Sequence, residues 1–160
     1  GGLEALADGK LKLTKEQGKN EETGKYEALY GFGGRSFSIF DAETMELIFD
    51  SGSDFEKFMA EETPQYFNTT NNETKVDNRS DDKGPEPETA IVGEIDGKPY
   101  SFIALERFGG IAVYDLSDLD NPKFVTVISS RNFEAEGDLE EDVSPTEVAE
   151  LAGDVSPEGL

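Results

Sequence analysis

Histidine and cysteine are both absent from the chain, and each absence closes a class of chemistry. Without histidine no imidazole can act as a base near neutral pH. Without cysteine there is no thiolate nucleophile, and the two absences together remove the usual zinc ligand sets. Any bound metal must therefore be hard and oxygen-ligated, with calcium the leading choice. The redox compartment stays open, because an exported bacterial protein need not carry disulfides. Basic residues are also scarce: 14 Lys and Arg face 36 Asp and Glu, for a net charge of −22. Binding a phosphate backbone needs a positive surface, so nucleic acid is excluded as a partner and cations are expected instead. The plainer reading of the same charge is solubility, in a salty or marine setting. No apolar run is long enough to span a membrane. Gly1-Gly2 in place of a methionine reads as a processed start with no signal peptide.

What the chain does contain is a long repeat. Phe32-Gly33-Gly34-Arg35-Ser36-Phe37-Ser38-Ile39-Phe40-Asp41 returns, shortened, as Phe108-Gly109-Gly110-Ile111-Ala112-Val113-Tyr114-Asp115. The FGG copies lie 76 residues apart, the closing aspartates 74, and Pro85-Glu86 recurs 72 residues on as Pro157-Glu158. A period this long, filled with short strands, predicts an all-β fold of successive four-stranded antiparallel sheets, as in a β-propeller. A closed propeller needs at least about four blades. A chain of 160 residues holds two, plus a third opened by Ser156-Pro157-Glu158-Gly159-Leu160. The expectation is an incomplete propeller with short helical insertions: a polar segment over 1–25, a first blade with helix and long polar loop over 26–83, a second blade with acidic loop and helix over 84–153, and the start of a third over 154–160. Blade faces and strand edges left open in this way are expected to drive self-association.

Along the chain, Leu11 and Leu13 alternate with lysines as one edge strand, and Tyr26 to Tyr30, Ser36 to Phe40 and Glu46 to Phe49 read as strands separated by turn residues. Ser53 or Asp54 caps a short helix whose apolar side is Phe55, Phe58 and Met59, ended by Pro64. A polar excursion over 65–88 carries sequons at Asn68, Asn72 and Asn78, which either mark a modified extracellular loop or arise by chance in an Asn/Thr-rich stretch. Ala90 to Ile95, the Asp96-Gly97 turn and Tyr100 to Leu105 predict a hairpin, with Ile111 to Tyr114 and Phe124 to Ile128 completing four strands. An acidic loop over Glu134 to Asp142 leads to a second helix from Ser144-Pro145 to Leu151.

The densest constellation runs from Asn78 to Glu88. In a propeller the loop entering the innermost strand faces the central channel, so Asp81, Asp82, Glu86 and Glu88, with Glu158 from the next unit, are candidate calcium ligands. The simpler reading has the aspartates capping turns and pairing with Arg79. Asp115 to Asn121 has oxygen ligands at alternate positions but lacks the glycine and bidentate glutamate of an EF-hand, and a β-turn is the better account. Arg35, Arg79 and Arg107 are candidate anion contacts; for Arg35 and Arg107, with Glu106, ion pairing between repeat units is the preferred reading.

Phe32 to Phe40, Phe49-Asp50-Ser51-Gly52, Arg79-Ser80-Asp81-Asp82-Lys83-Gly84-Pro85-Glu86-Pro87-Glu88 and Leu105-Glu106-Arg107 with Gly109-Gly110 together resemble the choice-of-anchor I family, over about Leu11 to Leu160. That family includes bacterial exported proteins labelled alkaline phosphatase and animal mesenchyme-specific cell-surface glycoproteins linked to biomineralisation. The resemblance implies a propeller and an extracellular, periplasmic or cell-surface location. It implies no catalytic residues. Two functions follow as expectations: a secreted or surface calcium-binding segment in adhesion or mineral and matrix interaction, or a calcium-dependent phosphoesterase using carboxylates such as Glu86 and Glu88. Ser36, Ser80 and Thr89 are available as hydroxyls, but no base activates them.

Overall fold

The Asp96-Gly97 turn organises the larger sheet. Both residues take positive φ, 51° and 77°, the pattern of a two-residue hairpin turn whose twist matches its strands. It joins β3 (Pro87–Ile95) to β4 (Lys98–Leu105), and β5 (Gly110–Asp115) and β6 (Lys123–Ile128) follow in an antiparallel meander of order β3-β4-β5-β6. A smaller sheet pairs β1 (Ser38–Phe40) with β2 (Leu47–Asp50). One helix, α1 (Asp54–Glu62), and a 3-10 turn at Pro64–Tyr66 lie between the sheets in sequence. The computed structural model describes residues 11–71, 74–134, 152–154 and 156–160. Its architecture is mostly β, in two antiparallel sheets that do not close on one another.

The second unit forms all four of its expected strands. The first does not. Among the described residues before β1, only isolated bridges form, Leu13 to Gly31 and Lys19 to Tyr26, so the strand expected over Tyr26 to Tyr30 is reduced to a single contact. Within that stretch Glu27 N and Ala28 N both donate to Gly18 O, which closes a loop rather than extending a ladder. In the adjoining loop the Thr14, Asn20 and Thr23 side chains accept the N–H groups of Glu16, Glu22, Thr23 and Lys25. Leu29, Tyr30 and Phe32 are left exposed. The acidic loop beyond Glu134 and the helix expected at Pro145 to Leu151 fall outside the described residues, except that Ala152 is helical.

Alternation along the strands divides the larger sheet into two faces. The first carries Ile103 and Leu105 from β4 and Ala112 and Tyr114 from β5, all buried. The helix arises as expected, with Ser53 at its N-cap, and presses Phe55 and Met59, both fully buried, onto this face. Phe37, Ile39 and Phe49 from the first unit join them. Tyr114 is the hub: ring centroids of Phe37, Phe49, Phe55 and Phe124 lie 4.7, 6.0, 6.3 and 5.4 Å from its own. Its hydroxyl donates to Asp54 at 3.1 Å. Burial, then the Asp54 charge, push the Tyr114 phenol well above its ordinary range, so it stays a neutral donor.

Candidate functional site

The β3–β4 ladder runs one step past its last strand pair. Glu106 N donates to Glu86 O at 2.9 Å and Arg107 N to Pro85 O at 3.2 Å, which sets the side chains of Glu86 and Glu106 beside each other at the open end of the hairpin. Glu88, at the start of β3, joins them. Carboxylate oxygens from Glu86, Glu88 and Glu106 all lie within 4.8 Å of one another. Glu86 and Glu106 are buried, at 4% and 5% exposure, and Glu88 is exposed. The Glu86 backbone has φ of 50°, a left-handed conformation that costs a non-glycine residue stability.

Buried carboxylates need partners, and these have several. Arg79 donates to Oε1 of Glu86, Lys83 Nζ to Oε2 at 2.7 Å, and Arg107 Nε stands 3.4 Å from Oε1. Oε1 of Glu106 accepts from Asn71 Nδ2 at 2.9 Å and from Ser156 Oγ at 3.1 Å. Arg107 Nε is 2.7 Å from Oε2 of Glu106; the contact is an ion pair but is poorly aligned for a hydrogen bond. Burial pushes the Glu86 carboxyl up, yet the Lys83 hydrogen bond and the charges of Arg107, Arg79 and Lys83 outweigh it, and the group is held below the usual carboxylate range.

The surrounding loops are fixed by the two remaining arginines. Arg35 pairs with Glu56 of α1 at 2.7 Å and donates to the carbonyls of Ser80 and Asp82, lying against Gly84, whose φ is 62° and where a Cβ would come within 3.2 Å of the Arg35 side chain. Arg131 is buried and donates to the carbonyls of Thr70, Arg107 and Phe108 while its guanidinium covers Phe133. Asn68, only 1% exposed, donates through Nδ2 to Glu56 and to Ser80.

Of the residues expected to bind metal, Glu86 and Glu88 lie in the cluster. Asp82 pairs instead with Lys12 at 2.6 Å and Arg79 at 3.3 Å; the Lys12 hydrogen bond, with the charges of Arg79, Lys12 and Lys83, outweighs burial and holds its carboxyl low. Asp81 offers its carbonyl to Lys12 N. Glu158 comes close through its backbone, its carbonyl accepting from Thr89 Oγ1 at 2.7 Å. Each candidate anion contact, Arg35, Arg79 and Arg107, faces at least one carboxylate. Asp115 accepts from Ser117 N, as Asp41 accepts from Glu43 N and Thr44 N; both are turn aspartates. Glu106 was not among the expected metal ligands, nor were Asn71, Ser156 and Arg131 among the site residues. The two-residue turn alone would set residue 106 opposite residue 87; the register shift between Pro87 and Thr89 moves it opposite Glu86, and a bulge of one residue is not marked by strand patterning.

An all-oxygen set with three carboxylates is able to hold a hard metal ion. A dication entering it would have to displace Lys83 or Arg107, because Glu86 and Glu106 are already paired with them. Among the described residues no helix is long and apolar enough to cross a membrane.

A model of the choice-of-anchor I domain matches residues 4–119, a stretch that contains all three glutamates. Gigasin-3a of Magallana gigas is 37% identical over 114 residues, covering 68% of this chain and 40% of that protein. A mesenchyme-specific cell surface glycoprotein of Strongylocentrotus purpuratus is 28% identical over 105 residues, covering 58% of this chain and 14% of that protein. The chain therefore spans less than half the length of the curated relatives it matches. No solved structure matches it.

Proposed function

Because the chain belongs to the choice-of-anchor I domain family, we propose that it serves as a calcium-binding segment of a secreted or cell-surface β-propeller protein, in adhesion or in contact with mineral or matrix. The observation that carries this reading is the approach of the Glu86, Glu88 and Glu106 oxygens to within 4.8 Å of one another. The net charge of −22 supports it by concentrating cations at the surface. The surface location draws on the relative named a cell surface glycoprotein. Since calcium must compete with Lys83 and Arg107 for the same oxygens, its affinity belongs with that of extracellular modules, at about 10⁻⁴ to 10⁻³ M. We also propose that copies associate through their exposed apolar strand faces.

Thermal melts in calcium, magnesium and chelator test the cation site. Millimolar calcium is expected to raise the melting temperature, and the double variant Glu88→Gln, Glu106→Gln to abolish the rise. A calcium-insensitive melt of the unaltered chain would sink the reading. The phosphoesterase alternative has one contact in its favour, the Ser156 hydroxyl bonded to the Glu106 carboxylate. Against it, that carboxylate is already committed to an ion pair with Arg107 at 2.7 Å. Calcium-dependent phosphomonoester turnover lost in Ser156→Ala would decide for the alternative.

A further inference from the structure

The repeat and the packing together identify what the second face of the larger sheet is built to meet. On its first face, unit one delivers Phe37, Ile39 and Phe49 onto Tyr114. The closing aspartates, Asp41 and Asp115, stand 74 residues apart, and counting back in step from each equates Phe37 with Ile111, Ile39 with Val113, and Phe40 with Tyr114. Ile111 and Val113 point away from the Tyr114 face, because residues alternate along β5. They lie on the second face with Ile91, Phe102 and Ile128, to which the ladder registers Ile91↔Phe102, Phe102↔Val113 and Ile111↔Ile128 join them. That face is apolar: at its sides Ile91 and Ile128 are 41% and 57% exposed, Phe102 and Ile111 are half-buried, and Val113 in its middle is buried. Both α1 and the β1–β2 hairpin pack on the opposite face.

The complementary surface is present on the same chain. Phe40, the counterpart of Tyr114, is 52% exposed, and its strand partner Leu47 is 58% exposed. In unit two the equivalent aromatic is fully covered, and what covers it is the side of unit one equivalent to Ile111 and Val113. We infer that the Ile91, Ile111 and Ile128 face of one copy docks on the Phe40 and Leu47 face of a second copy, repeating between molecules the contact that unit one makes with unit two within one. This deepens the proposed association of copies and rests on it, adding two distinct surfaces and a direction. The contact is head-to-tail, so each copy keeps one free face until a ring closes. A net charge of −22 on each copy opposes association at low salt, and screening at high salt relieves it.

The test separates direction from association. The variant Ile128→Glu disables one face, and Leu47→Glu the other; both positions are exposed and neither lines the cleft that Phe40 and Ile91 share within one molecule, so the fold should survive, which circular dichroism checks. In high salt, sedimentation velocity is expected to show oligomers of the unaltered chain, monomers of each variant alone, and a one-to-one dimer when the two variants are mixed. An unaltered chain that stays monomeric at all concentrations would overturn both the association and its direction. Oligomers that persist in either variant, or a mixture that stays monomeric while the unaltered chain associates, would leave the association standing and overturn the head-to-tail contact.

Discussion

Glu86 has a 3% exposed side chain facing Arg79, Lys83 and Arg107. Replacing it with glutamine removes the shared anion while Asp82 and Glu106 continue to hold part of the positive charge, so the cost should lie at the low end for breaking a buried pair, about 3 kcal/mol. Urea unfolding of Glu86→Gln measures it. The same carboxyl makes a pH prediction. Its folded pKa is lowered from the ordinary 4.5, so the unfolded state binds the proton more readily, and the stabilisation is complete above 4.5 and lost as pH falls below that value through the folded pKa. Stability measured across this window should fall less steeply in Glu86→Gln than in the unaltered chain. Asn68 supplies a prediction about modification. With 1% exposure and its Nδ2 committed to Glu56 and Ser80, the side chain has no room for a glycan in the folded molecule. Peptide mapping after expression in a glycosylating host should find Asn68 unmodified, and an occupied Asn68 would contradict the packing.

Helix α1 gains its stability from the sheet it covers rather than from its own ends, since Ser53 makes no side-chain capping bond. Phe55 is fully buried between Phe37 and Tyr114. Phe55→Ala should therefore cost about 3 to 5 kcal/mol, whereas Glu61→Ala on the exposed side should stay within about 0.5 kcal/mol; denaturant midpoints compare the two. The spacing of Phe55, Phe58 and Met59 made this helix readable from sequence, and the Asp96-Gly97 turn did the same for the β3–β4 hairpin. The loss of the strand expected over Tyr26 to Tyr30 was not readable, because Glu27 and Ala28 both turn their N–H groups to Gly18 O, a loop closure that strand patterning does not register. For the site, Glu86 and Glu88 could be singled out by the charge crowded into their loop. Glu106 belongs to the cluster only through the pairing of two strands, and its local sequence, beside Arg107, reads as an ion pair between repeat units.

Across the whole molecule, the distribution of cations is uneven in a way the totals conceal. All four arginines are tied into the network that binds the loops to the sheet end: Arg35 to Glu56, Arg79 and Arg107 to Glu86, and Arg131 to three carbonyls. Lys12 and Lys83 join that network, but other lysines are spent differently. Lys15, Lys19 and Lys25 are exposed on the segment where only isolated bridges form. A protease that cuts after either residue would therefore meet two classes of bond in the native protein, because cleavage requires a stretch of backbone to leave the fold, and local opening is easiest where the ladder is sparse. Brief trypsin digestion of the folded chain, followed by mass spectrometry, should release peptides ending at Lys15, Lys19 or Lys25 well before any ending at an arginine. Early cleavage after Arg79 or Arg107 would mean that the charged network opens as readily as the amino-terminal loops. The arginine network thus sets a proteolytic order, in which the amino-terminal segment is shed first and the acidic sheet end survives as the resistant remnant.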